Sequence, residues 1–167
     1  MYGLKRVQNI KILGVTPHVQ HLVTSNAQVW YALKLLRAHG LSDTAIQAVY
    51  RSVIIARLLY ASPAWWGFAS AQDRQRVYGF LRRSARVGFC SPELPSFDDL
   101  CLEADQNLFN KILRNQDHVL HPLLPPVSDT SHNYSLRRRV HDRALPDRLS
   151  SLTDCNFITR MLFYQVY

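Results

Sequence analysis

The stretch from Leu35 to Trp66, LLRAHGLSDTAIQAVYRSVIIARLLYASPAWW, constrains the fold more than any other. Gly40 stops one helix. Ser42 starts the next as its N-cap, and Asp43 sits in the first turn, where a negative charge suits the helix dipole. The new helix is apolar on one side as far as Tyr50. From Val53 to Tyr60 it is apolar almost all round, interrupted only by Arg57. A helix that is apolar on every side is a buried one. The pattern predicts a central helix, ended by Pro63, with neighbours packed around it.

The flanks supply those neighbours. Pro17 opens a helix whose buried stripe is Val19, Leu22, Val23, Trp30, Leu33 and Leu36. Ser70 with Asp73 forms a capping pattern, and a helix follows to a stop at Gly88. On it Val77, Phe80, Leu81 and Ser84 share one face, while Gln72, Gln75, Arg76, Arg82, Arg83 and Arg86 share the other. Ser96 and Asp99 repeat the cap. Phe97, Leu100, Cys101, Ala104, Leu108 and Ile112 then form a stripe toward Arg114, and a short turn is expected before Pro122.

The fold class predicted is mainly α, a helical bundle with a short β segment before it and an irregular basic tail after it. The β segment is residues 1–16, in which VQNIKILGVT alternates weakly and is β-branched. The helical domain is 17–122. Residues 123–167 read as a basic extended tail carrying Arg137, Arg138 and Arg139. A short terminal helix is expected between Asp154 and Tyr164, anchored by Phe157, Met161, Leu162 and Phe163.

Charge points to partners. The formal net charge is +8, and only four of the twenty basic residues are lysines. An arginine-rich basic chain suggests an anionic partner, of which nucleic acid is the commonest. Two readings of the Arg76–Arg86 face stand side by side. It is a phosphate contact, or it is a solvated helix face. Three scattered cysteines without a C-x-x-C pair suit a reduced, intracellular setting, nuclear or cytoplasmic. No apolar run reaches roughly 18 residues, so no membrane span is expected. A signal-peptide pattern is not seen in residues 1–16 either.

Other candidate chemistry has a plainer reading. Asp98 and Asp99 sit in a first helical turn, where acids stabilise the dipole. His18 with His21, and His118 with His121, have zinc-like spacing but lack a third ligand. Phosphate-loop and nucleophile-elbow motifs are missing. Trp65 and Trp66 are read as core packing rather than base-stacking platforms. GLSDTAIQAVYRS has a helix-turn-helix look, but its helix runs on too long and too apolar for a major groove. No metal and no cofactor are expected.

Three stretches resemble one family. IKILGV at 10–15 is similar to the strand that closes the palm in reverse transcriptases of non-LTR (LINE-type) retrotransposons. YALKLLRAHGLSDTAIQAVYRSVIIARLLYASPAWWGFASAQDRQRVYGFLRRSARVGF at 31–89 resembles the helical region after that palm. HNYSLRRRVHDRALPDRL and NFITRMLFYQVY, at 132–149 and 156–167, resemble the end of such reading frames. The resemblance implies a thumb that holds a template–primer duplex, RNA, DNA or hybrid, against a palm. The paired metal-binding aspartates of the palm have no counterpart here, so a fragment inactive by itself is expected. Thr16-Pro17 also runs straight into a helix where the family has a longer strand-and-turn passage. The alternatives are a helical protein-interaction module and a degenerate gene product with no retained activity.

Overall fold

The computed structural model describes residues 14–91, 93–128, 141–148 and 150–164. Within it the chain divides into two compact units, one of residues 14–58 with 69–94, the other of 59–68 with 95–164.

In the first unit, α1 (Val15–Ala38) packs on α5 (Ala71–Arg86). Val15, Val19, Leu22, Asn26 and Leu33 form its buried stripe. The expected β segment does not extend to residues 14–16. Gly14 takes a left-handed conformation, and Val15 and Thr16 are the first helical residues. Thr16 donates its hydroxyl to Asp73 at 3.0 Å, which fixes the start of α1 to the start of α5. Residues 1–13 lie outside the described set. Leu36, expected in the stripe, is 46% exposed, and Asn26, which the apolar pattern passed over, is fully buried instead.

The central helix forms, with Ser42 accepting from the Ala45 amide as its cap. It runs through α2 (Asp43–Val49), a π-helical segment (Tyr50–Ile55) and α3 (Ala56–Leu59). The π segment has more residues per turn than an α-helix. Ile54 and Ile55, adjacent in sequence, thereby both face inward with Tyr50 and Leu58. Burial on every side is not what forms: Ala56, Arg57 and Tyr60 are exposed. The helix also ends earlier than expected. Ala61 adopts φ 51°, and Pro63 sits in the first turn of α4 (Ser62–Trp65). A proline ring clashes with the carbonyl four residues back in a helix interior but is tolerated in a first turn, so the chain breaks before it and restarts.

The second unit is built on α6 (Phe97–Arg114), capped by Ser96 accepting from the Asp99 amide. α4 and α8 (Phe157–Leu162) both pack on it. Phe109, Ile112, Phe157, Met161 and Leu162 make one core cluster. Trp65 and Trp66 are each 5% exposed, and Trp66 meets Phe97 edge to face with centroids 5.0 Å apart. They are core, as the sequence indicated. A short helix α7 (Ser151–Asp154) has a full capping box from Ser150 and Thr153. In the described part of the basic tail Phe157, Met161 and Leu162, expected as anchors, are buried. His141 is buried, and both its ring nitrogens are engaged, by the Arg143 amide and the Leu162 carbonyl. Among the described residues no strand forms; Val127 and Arg143 make an isolated antiparallel bridge.

Candidate nucleic-acid interface

α5 owes its position to its two ends. At the start, Ser70 accepts from the Asp73 amide while its hydroxyl donates back to the Asp73 carboxylate at 2.7 Å. That carboxylate is buried and also accepts from Thr16 and Arg76. At the far end, Arg37 from α1 donates to the Val87 carbonyl at 2.6 Å and lies over the Phe89 ring. A cation at a helix C-terminus meets the negative end of the dipole and satisfies a carbonyl that the helix leaves open. Val77, Phe80 and Ser84 then point inward. The opposite face is fixed by helix geometry, not by local preference.

On that face Gln72, Gln75, Arg76, Arg82, Arg83 and Arg86 are all exposed. The structure thus brings the four helical arginines singled out in the sequence onto one surface. They are not equivalent. Arg76 bridges to Asp73 at 3.2 Å, so much of its charge is already answered. Arg82, Arg83 and Arg86 have no ion pair among the described residues. Asp73 is the only acid of α5 and it is buried, so the exposed face carries cations alone. Arg137, Arg138 and Arg139 lie outside the described residues.

Charge is unevenly placed. Among the described residues, the first unit has nine Lys and Arg against three Asp and Glu; the second has five against eight. Arg37 is not available in the first unit, being tied to Asp43 at 2.7 Å as well as to α5. Arg51 and Arg57 are exposed there and unpaired among the described residues. Sequence reasoning passed over Arg51, which lies between the one-sided stretch and the apolar run, and took Arg57 as a mere interruption of that run. The charge of Arg57 within that run was the signal of a solvent-facing side.

The second unit has a shallow cavity of about 360 Å³ lined by Arg148, Asp154, Thr159, Arg160, Phe163 and Tyr164. Its cations are already engaged: Arg148 lies over the Phe163 ring of the same cavity, and Arg160 pairs with Asp105. Among the described residues no cluster of His, Cys, Asp and Glu could hold a metal ion. No helix among them is long and apolar enough to cross a membrane.

Known proteins do not decide the matter. Comparison with protein-family models, curated proteins and solved structures finds no match.

Proposed function

We propose that the chain holds a nucleic-acid duplex through phosphate contacts from the exposed face of α5, as a non-catalytic, thumb-like part of a non-LTR retrotransposon reverse transcriptase. The observation that supports this most is the conjunction on α5: three arginines with no ion pair among the described residues, flanking glutamines and no exposed acid on the helix. Arginine forks suit phosphate oxygens, and contacts from such a face go to phosphate and sugar, which carry no sequence information. The binding is therefore weak and indifferent to sequence. The resemblance of residues 31–89 to the region after a palm adds the family and the preference for a template–primer hybrid. Catalysis is not part of the proposal. Two-metal phosphoryl transfer needs paired carboxylates across the reacting phosphate, so the pure chain should not extend a primer with magnesium or manganese. A palm of that family would be its natural protein partner.

The test is a titration of a fluorescent RNA–DNA hybrid at several salt concentrations. Counterion release gives a slope of about −0.9 per phosphate neutralised on B-DNA. Replacing Arg82, Arg83 and Arg86 by Gln should lower affinity and flatten the slope by up to about three units while the fold survives. An unchanged slope would return these arginines to an ordinary solvated face.

A second reading has its own observation. Tyr31, Leu35 and Leu36 on α1 are 61%, 48% and 46% exposed. Large apolar side chains left open in one short stretch suit a helical module that docks on protein. That reading takes the lead if the hybrid does not bind. Absence of any partner for either surface would leave the degenerate-product reading.

A further inference from the structure

Gly79 lies at the centre of the arginine face of α5. At about 100° per residue, Gln72, Gln75, Arg76, Arg82, Arg83 and Arg86 all fall within about 60° of its direction. Gln72, Gly79 and Arg86 form one row along the helix. Arg76 and Arg83 form a row on one side of it, Gln75 and Arg82 a row on the other. The middle of the central row is thus a gap floored by helix backbone.

Nothing among the described residues requires a glycine there. Its φ is not in the left-handed region. Among the described residues, a Cβ added at Gly79 would have one neighbour within 4 Å, the Arg83 guanidinium at 3.8 Å, which is ordinary contact with the far end of a flexible side chain. Gly67 in the second unit is the opposite case. A Cβ there would overlap the Cys155 carbonyl and lie 2.9 Å from the Arg160 guanidinium. Packing explains Gly67. At Gly79 the helix accepts a residue that weakens it relative to alanine, with no packing return.

We propose that Gly79 is the seat of a phosphodiester backbone. A strand lies in the furrow between the Arg76–Arg83 row and the Gln75–Arg82 row, close enough at Gly79 for guanidiniums from both sides to reach it. From Gln72 to Arg86 the face is about 21 Å long. A face of that length spans several successive phosphates of one strand. A side chain at position 79 would hold the strand away from the helix and lengthen each of the flanking contacts. The inference rests on the duplex-holding reading and adds to it the line along which the strand runs.

The experiment compares wild type, Gly79→Ala, Gly79→Leu and the control Ala85→Leu, which changes an exposed position outside the furrow. Each is melted by circular dichroism and titrated with a fluorescein-labelled RNA–DNA hybrid at several salt concentrations. Gly79→Ala should melt above wild type, because alanine is the better helix former. Gly79→Leu should melt at or above wild type yet bind roughly tenfold more weakly, with a salt slope flatter by about one unit, the loss of one phosphate contact. Ala85→Leu should bind as wild type does. If wild type binds with the expected salt dependence and both Gly79 variants bind equally well, the seat is overturned and the duplex-holding reading stands. If wild type shows no salt-dependent binding, that reading falls and the seat falls with it.

Discussion

Arg160 on α8 and Asp105 on α6 form an ion pair at 3.0 Å, with side chains 22% and 7% exposed. The same guanidinium donates to the Pro63 carbonyl at 3.2 Å, so one side chain joins α4, α6 and α8. The other Asp105 oxygen is buried without a hydrogen-bond partner among the described residues. Breaking a buried pair leaves an uncompensated charge, which costs more than the pair itself contributes. Arg160→Gln should therefore destabilise the protein by about 3 kcal/mol. Urea unfolding of the variant checks this, and a loss below about 1 kcal/mol, the range of an exposed pair, would place the pair in solvent.

Burial raises the Asp105 carboxyl above its ordinary value of 3.8, more than Arg160 lowers it. The sign follows from proton uptake. As pH falls, the folded chain takes up this proton before the unfolded chain does, so the group favours folding more at low pH and loses that contribution as pH rises through its raised value. The stability of wild type minus that of Asp105→Asn should fall as pH rises upward from 3.8, then level off. Urea midpoints of the two proteins across that window measure it. A difference that rises with pH would mean that the attraction of Arg160 outweighs burial.

Cys101 is buried on α6, and desolvation pushes its thiol up to about 12. A thiol that is both inaccessible and protonated does not react with alkylating agents. Iodoacetamide at mildly alkaline pH should label Cys155 in the folded protein and reach Cys101 only in denaturant. Mass spectrometry of peptides from folded and unfolded samples distinguishes the two.

Ile54 and Leu58 are both fully buried on the central helix. Truncating either to Ala should cost about 2–5 kcal/mol through lost transfer energy and a cavity. Asn26 is equally buried, but its amide oxygen and nitrogen have no hydrogen-bond partner among the described residues. A buried unpaired amide is itself costly, and alanine is the better helix former. Asn26→Ala should leave stability unchanged or raise it by up to about 1 kcal/mol. Thermal melts of the three variants separate the two kinds of buried site by sign.

Gly67→Ala should destabilise the second unit, because the new methyl overlaps the Cys155 carbonyl, a backbone atom that cannot rotate away. A shift of the unfolding midpoint to lower urea tests it. Unchanged melting would mean that the backbone at Cys155 gives way without cost.

Much of the local structure was legible because its causes are local. Ser42, Ser70 and Ser96 cap the helices the sequence assigned to them, since a cap is a contact within one turn. The two faces of α5 were legible for a similar reason: periodicity places Val77 and Phe80 opposite Arg82 and Arg86 whatever packs on them. The break at Ala61 was mislocated by two residues because Pro63 forbids a continuous helix without forbidding a new one.

The sequence by itself determined a mainly helical chain, the start and stop of its longer helices, and a cationic face on α5. Those follow from hydrogen bonds and spacings within a few residues. Only the tertiary structure decided which polar groups are spent inside the fold. Asp73 accepts from Thr16 of α1, Arg37 closes the end of α5, and Arg160 with Asp105 lies buried among three helices. Such pairings join residues as far as 97 positions apart, as Arg160 and Pro63 are. No pattern along the chain encodes a distance of that kind; it is set when apolar faces pack and charges caught between them must find partners.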